Sequence, residues 1–376
     1  MAVVLAPSTK RRSAFNRLTV REVRRLTGDA VEIVLDVPAD LQEKYDYLPG
    51  QYVALRTTLD VDGEPKEVRR SYSICADPRP GELRVAVKRD LGGVFSSWAN
   101  ESLAAGDTLD VMSPLGQFTP RTTPGQQAVS LVAVAAGSGI TPVISIARSM
   151  LASGPKVRFD LVYANRAAMD VMFLEELADL KDRYPSRFAL HHVLSREQRI
   201  SPLLSGRIDA EKLEKLLGTV LAADRVDEWF LCGPFDLVQL CRDTLAKRGV
   251  PAEKIRFELF TTGEPARPEG SVGRPVAPAD GGENYTISFN LDGLQGSVQS
   301  PTHARESILN AALRMRPDVP FACAGGVCGT CRAKVVEGTV QMVENYALEP
   351  DELAKGYVLT CQAHPTSKAV TVDYDS

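Results

Sequence analysis

From Leu18 to about Phe118 the chain alternates apolar and polar positions in short runs. Leu18-Thr-Val-Arg-Glu-Val23, Val31-Glu-Ile-Val-Leu-Asp-Val37, Tyr52-Val-Ala-Leu-Arg56 and Leu83-Arg-Val-Ala-Val87 are the clearest. Turn signals at Pro49-Gly50, Asp62-Gly63 and Pro80-Gly81 separate them. Many short period-2 strands predict an antiparallel barrel over residues 15–122, interrupted by one helix near Val94–Ser102. Near Gln127 the pattern changes. Val129–Ala136 is almost continuously apolar, as a strand buried on both faces must be. Helical and strand patterns then alternate to Leu259, which predicts a doubly wound parallel sheet over residues 123–262. Residues 263–283 are rich in Pro, Gly, Glu and Ala without a period and read as a linker. Residues 284–376 resume with strands around one helix, Ser307–Met315, the size of a β-grasp module. Residues 1–14 read as a leader.

Composition changes this picture little. A chain of 376 residues, 44% hydrophobic and 24% charged, has room for two or three ordinary domains. Its net charge of −4 disfavours a nucleic-acid binder. No run reaches the ~18 apolar residues of a membrane span, and the first residues lack the charge order of a secretory signal. The expected location is cytoplasmic. Three of the seven cysteines, Cys75, Cys232 and Cys241, are scattered, as in a reducing compartment.

The other four decide the chemistry. Cys323-x4-Cys328-x2-Cys331 with a distant Cys361 is the plant-type spacing for a [2Fe–2S] cluster. Gly325, Gly326 and Gly329 would let the loop backbone turn inward toward the sulfurs. A structural zinc site also takes four thiolates, but usually as two short-spaced pairs.

Upstream motifs suggest how electrons arrive. At a strand end, Arg70-Ser71-Tyr72-Ser73 offers a cationic fork, an aromatic face and a hydroxyl suited to a flavin's phosphate, ring and hydride-accepting nitrogen. An ordinary strand end would read the same. Val87-Lys88 and Gly92-Gly93-Val94-Phe95-Ser96 strengthen the flavin reading, since Gly93 and Val94 would open a helix at a phosphate and Ser96 would add a hydroxyl. Gly137-Ser-Gly139-Ile-Thr141-Pro142 follows a buried strand and opens a helix, so its glycines would admit a pyrophosphate and Thr141 would face nicotinamide or flavin. Cys232-Gly233-Pro234 ends a later strand, where a thiol can sit beside the reactive nicotinamide carbon. A buried core cysteine is the plain alternative. Ser195, Arg196 and Arg207, with Arg166 beside them, would bind a ribose 2′-phosphate and so favour NADPH. Ser73, Thr141 and Cys232 are the candidates nearest the chemistry. Glu344, Glu349, Asp351 and Glu352 are either a docking face or a solvated surface. His191 and His192 read as strand residues.

In this order the motifs resemble the ferredoxin-NADP reductase superfamily with a plant-type ferredoxin fused at the C-terminus. Within it, the chain is similar to the reductase subunits of phenylacetyl-CoA epoxidase complexes, through Leu204-x-Gly-Arg-Ile-Asp-x-Glu-Lys-Leu213 and Asn345-Tyr-x-Leu-Glu-Pro-Asp-Glu-Leu353 running into Gly356-Tyr-Val-Leu-Thr-Cys-Gln362. The resemblance implies FAD, NADPH, the [2Fe–2S] centre and a di-iron oxygenase as acceptor. FMN, a steroid-ring or aromatic-ring oxygenase as acceptor, and a zinc-stabilised interaction protein remain as alternatives. Relatives without the extension end on an aromatic residue over the flavin; here Glu258-Leu-Phe260 is followed by more chain.

Overall fold

A computed structural model describes residues 15–61, 63–123, 127–221, 225–260, 283–316, 319–321 and 324–376. The expected leader, nearly all of the expected linker and Cys323 lie outside the described residues. Most of the barrel together with the nucleotide domain (Arg17–Asp110 and from Pro114 onward) forms one compact unit, and the C-terminal residues belong to another. No helix among the described residues is long and apolar enough to cross a membrane.

The barrel strands are β1 (Phe15–Thr27), β2 (Ala30–Asp36), β3 (Tyr52–Val61), β4 (Glu64–Ser73), β5 (Glu82–Lys88) and β6 (Thr108–Met112), in the order β4-β3-β6-β1-β2-β5. The two edges meet where Ile74 bridges Val85 and the Cys75 N–H donates to Arg84 O at 3.0 Å. Helix α1 (Val94–Glu101) covers one end, as its spacing predicts, with Phe95 and Ala99 turned into the core. At Gly50, φ is +94°, and a Cβ there would collide with the Phe118 carbonyl. The turn that follows the 3-10 segment Ala39–Tyr45 therefore requires glycine.

A second sheet is wholly parallel: β7 (Val129–Ala136), β8 (Val157–Asn165), β9 (Phe188–Leu194), β10 (Glu228–Gly233) and β11 (Ile255–Leu259), ordered β11-β10-β7-β8-β9. Helices α2 (Ile140–Ser153), α3 (Leu174–Arg183), α4 (Ala210–Thr219) and α5 (Phe235–Lys247) connect them. Strand order reverses between β7 and β10, and ligands of such sheets bind outside the carboxyl ends at that switch. A buried carboxylate fixes the chain's entry into this domain. Glu228 accepts from the backbone N–H of Arg121 (3.0 Å) and of Thr122, with Arg256 Nε 3.7 Å away.

In the C-terminal unit, β12 (Asn284–Leu291), β13 (Leu294–Pro301), β14 (Arg332–Glu337), β16 (Tyr357–Leu359) and β18 (Ala369–Asp373) form a mixed sheet ordered β13-β12-β18-β14-β16. Strands β15 (Val340–Met342) and β17 (Ala363–Pro365) pair separately. Helix α6 (Ile308–Met315), capped by the Ser307 hydroxyl on the Asn310 N–H, buries Ile308, Leu309, Ala311 and Ala312 against the sheet. A short α7 (Pro350–Ala354) precedes β16.

Candidate functional site

Strand β4 delivers its last residues to the mouth of the barrel. Tyr72 stacks obliquely on Phe95, ring centroids 5.4 Å apart, and burial pushes its hydroxyl pKa well above the ordinary value. The Arg70 guanidinium donates to the Arg69 carbonyl at 2.7 Å. Nearby, burial pushes the Asp90 carboxyl up against the opposing pull of Arg70 and Lys88. Arg70, Lys88 and the start of α1 thus lie about Asp90. Ser96 is engaged within the loop itself. Its hydroxyl accepts from the Asp90 N–H at 3.1 Å and lies within the Asp90–Gly93 turn. It shapes the loop that presents Gly93, Val94 and Phe95. Val87 is fully buried, and its carbonyl accepts from Asn100 of α1. Ser71 sits between Arg70 and Tyr72 on the opposite face of β4, paired with Ala54.

Ser73 is buried, and its hydroxyl donates to Glu258 Oε2 at 3.1 Å. Strand β11 brings Glu258 into register beside Cys232 of β10. Burial, reinforced by the Glu258 charge, holds the Cys232 thiol neutral by pushing its pKa well up. A hydroxyl, a carboxylate and a thiol from three segments are therefore gathered at the carboxyl ends of the parallel strands. Glu258 was not singled out by the sequence. The available signal was an acid at the end of the last parallel strand, where ligand-facing residues of this architecture cluster.

The glycine-rich turn after β7 serves packing as well as approach. Gly137, at φ +54°, has open space where a side chain would sit, and its carbonyl accepts from the Tyr163 hydroxyl at 2.9 Å. Gly139 is different: a Cβ would be driven into the Cys232 carbonyl. The neighbouring strand end by itself leaves no space for a side chain there. Thr141 and Pro142 are buried in the first turn of α2, the Thr141 hydroxyl donating to Ser138 O at 3.0 Å. Gly233 packs on Ala136, and the Pro234 carbonyl accepts the N–H groups of Leu237 and Val238 to start α5.

At the carboxyl end of β9, the Ser195 N–H donates to Asn165 O (2.9 Å), Arg196 N–H to Arg166 O (2.7 Å) and Gly206 N–H to Leu194 O (2.9 Å). These bonds bring Ser195, Arg196, Arg207 and Arg166 to one edge, with Arg196 and Arg207 exposed. Arg166 stands apart, since carboxylates already engage it, Asp29 at 3.2 Å and Asp170 at 3.3 Å. Burial would raise the Asp29 carboxyl, but the Thr27 hydroxyl, Lys88 and Arg166 together hold it below its usual value.

In the C-terminal unit Cys331 and Cys361 are buried, and Cys328 is half-buried. The hydrogen bond to Cys361, then burial, pushes the Cys331 thiol well up, so the two sulfurs face one another. Around Cys328 Sγ stand the Thr330 N–H (3.5 Å) and the Thr330 hydroxyl (3.0 Å). Gly326 and Gly329 take positive φ as expected, but the third left-handed residue is Ala324 (φ +51°), not Gly325. A methyl group is small enough to fit the core there. Two facing buried thiols, Cys331 and Cys361, and half-buried Cys328 beside the Thr330 donors are ligand types that fit a thiolate-bound cluster, with Cys323 outside the described residues. The acidic segment corrects one expectation. Glu352 is buried, accepts the Glu349 N–H at 3.1 Å to cap α7, and lies 3.1 Å from Arg332 Nε, so it is not part of an exposed face.

Three families match in series: an oxidoreductase FAD-binding domain at residues 17–119, an oxidoreductase NAD-binding domain at 133–243 and a 2Fe-2S iron-sulfur cluster binding domain at 292–366. One subunit of the 1,2-phenylacetyl-CoA epoxidase of Escherichia coli K12 is 44% identical over 97% of this chain and 99% of its own. The ferredoxin reductase component of Rhodococcus rhodochrous 3-ketosteroid-9-alpha-monooxygenase is 34% identical over 95% and 96%. The chain belongs to this family of oxygenase reductases. Among solved structures, phthalate dioxygenase reductase shares the fold, with a TM-score of 0.56 at 23% identity over 96% of this chain and 98% of that one. As an oxygenase reductase it carries FAD-binding, NAD-binding and 2Fe-2S domains, and the cysteine motif is an iron–sulfur motif, not a zinc site.

Proposed function

We propose that this reductase draws on NADPH and passes electrons through FAD and its [2Fe–2S] centre to a di-iron oxygenase of the phenylacetyl-CoA epoxidase type. The observation that carries it is 44% identity along almost the whole of both chains, ten percentage points above the steroid-oxygenase reductases. Bound flavin would supply conversion of a two-electron hydride into single electrons, which a one-electron cluster needs.

The chain's own residues position and exclude. Arg70 and Lys88, with the first turn of α1, hold the flavin's phosphates, and Tyr72 and Phe95 wall its ring. Ser73 and Glu258 fix the edge where hydride arrives, while neutral Cys232 packs there without adding charge. Gly137, Thr141, Pro142, Gly233 and Pro234 shape the slot for the pyridine nucleotide. Ser195, Arg196 and Arg207 take the 2′-phosphate. Cys323, Cys328, Cys331 and Cys361 ligate the cluster. We assign residues 15–122, 123–262 and 284–376 to these three parts. Free, buried Cys75, Cys232 and Cys241 support a reducing, cytoplasmic setting.

The test is turnover with NADPH and with NADH against purified phenylacetyl-CoA epoxidase and 3-ketosteroid hydroxylase components. Faster coupling to the epoxidase with NADPH is expected. Preferred coupling to the steroid enzyme, or preference for NADH, would overturn the corresponding half.

A further inference from the structure

Thr360 lies one residue before Cys361, and both its main chain and its side chain reach the other ligand segment. The Thr360 N–H (3.1 Å) and the Thr360 hydroxyl (2.9 Å) both donate to the Cys331 carbonyl. A carbonyl only accepts, so the hydroxyl proton must point at Cys331. The Tyr374 hydroxyl, 3.0 Å from Thr360 Oγ1, must then be the donor to it. The proton order along Tyr374–Thr360–Cys331 is therefore fixed. Thr360 and Tyr374 are both fully buried, where such a chain strengthens each of its bonds.

Tyr374 is itself held from both sides. Its N–H donates to Asn290 O at 3.0 Å, and the next residue, Asp375, accepts the N–H groups of Asp292 and Gly293, both at 2.8 Å. From the other direction the Leu309 N–H of α6 donates to Thr360 O at 2.9 Å. The end of the chain is thus fastened to the β12–β13 hairpin and aims a phenol at the ligand loop.

We propose that Tyr374 is a positioning residue for the cluster. Through Thr360 it locks the Cys331 and Cys361 segments together and points two O–H dipoles, positive ends forward, at the backbone carbonyl of Cys331, a ligand of a centre that gains negative charge on reduction. The inference rests on the [2Fe–2S] reading, which has its own check: iron and sulfide assay of the unaltered full chain. Absence of both would remove that reading, whereas their presence leaves this one to be decided as follows.

In the full-length protein with its cluster, Tyr374→Phe keeps the ring and deletes only the hydroxyl. Reduction potential, the paramagnetic resonance spectrum of the reduced centre and iron loss to a chelator are measured. The one-electron reduction constant should fall about threefold, the size of one neutral hydrogen bond, which is about 28 mV at ~59 mV per decade. Iron loss should quicken by about the same factor. Thr360→Val should match it, Thr360→Ser should stay with the parent, and the double variant Tyr374→Phe/Thr360→Val should go no further than Thr360→Val alone. Val372→Ala, a truncation in the same core, should leave the potential in place. Loss of the cluster in Tyr374→Phe with retention in Val372→Ala would also support the relay. A parent-like potential in Tyr374→Phe, additivity in the double variant, or an equal shift in Val372→Ala would overturn it.

Discussion

The Ser73 hydroxyl donates to Glu258 Oε2 at 3.1 Å, joining the last residue of a barrel strand to the last parallel strand of the nucleotide domain. The bond spans 185 residues of sequence and lies beside Cys232. Glu258→Gln and Ser73→Ala should each slow flavin reduction by NADPH, by about 10²-fold for a misplacement of this kind. Stopped-flow loss of flavin absorbance reads this directly, and an unchanged rate in both variants would detach the pair from hydride transfer.

Arg196 and Arg207 are exposed at one sheet edge, whereas Arg166 is already bound by Asp29 and Asp170. A charged hydrogen bond is worth about 1.5–3 kcal/mol, so Arg196→Ala or Arg207→Ala should raise KM for NADPH about 10- to 100-fold. KM for NADH should hardly move. Arg166→Ala should give the smallest NADPH effect of the three, and steady-state kinetics with both nucleotides ranks them.

Burial alone pushes the Cys241 thiol up to about 12. A group whose folded pKa is raised keeps its full stabilising share below the unfolded thiol value, near 8.5. It loses that share as pH rises toward the folded value. Urea unfolding should therefore show stability falling from about pH 8.5 upward, by about 1.4 kcal/mol per pH unit per thiol. Cys75 and Cys232, pushed up in the same direction, add to the slope. Cys241→Ala should flatten it by one thiol's worth; an unchanged slope would show that this thiol is not protected.

Glu228 and Arg256 are both nearly inaccessible, at 5% and 2% side-chain exposure. Glu228→Gln removes the negative member of a buried pair and weakens the grip on the Arg121–Thr122 backbone. Breaking such a pair from one side costs about 3–5 kcal/mol. Glu228→Gln/Arg256→Met should recover much of that loss, because neither charge is then left alone. Denaturation midpoints of the two variants give the comparison.

Much of the fold was legible because each domain writes its period plainly. Val129–Ala136 is apolar at all but Ser130 because both faces are covered, and Leu18–Val23 alternates because one is not. The cysteine spacing carried its chemistry for the same reason, since ligands on one short loop are local in sequence. Glu258 was missed because its partners, Ser73 and Cys232, are remote in sequence and meet only across strands. Glu352 was given an outward place by residue type. The local backbone there needed a helix cap. Ala324 took the left-handed place expected of Gly325, a choice made by core space that no motif spells out.

At Gly139 there is no room for even a methyl group, because the Cys232 carbonyl fills the space. The loop after β7 and the loop after β10 are consequently a mated pair, cut to each other's shape. Chimeras that exchange nucleotide-binding segments between relatives should keep both loops from one parent, since a boundary drawn between them separates surfaces that fit only together.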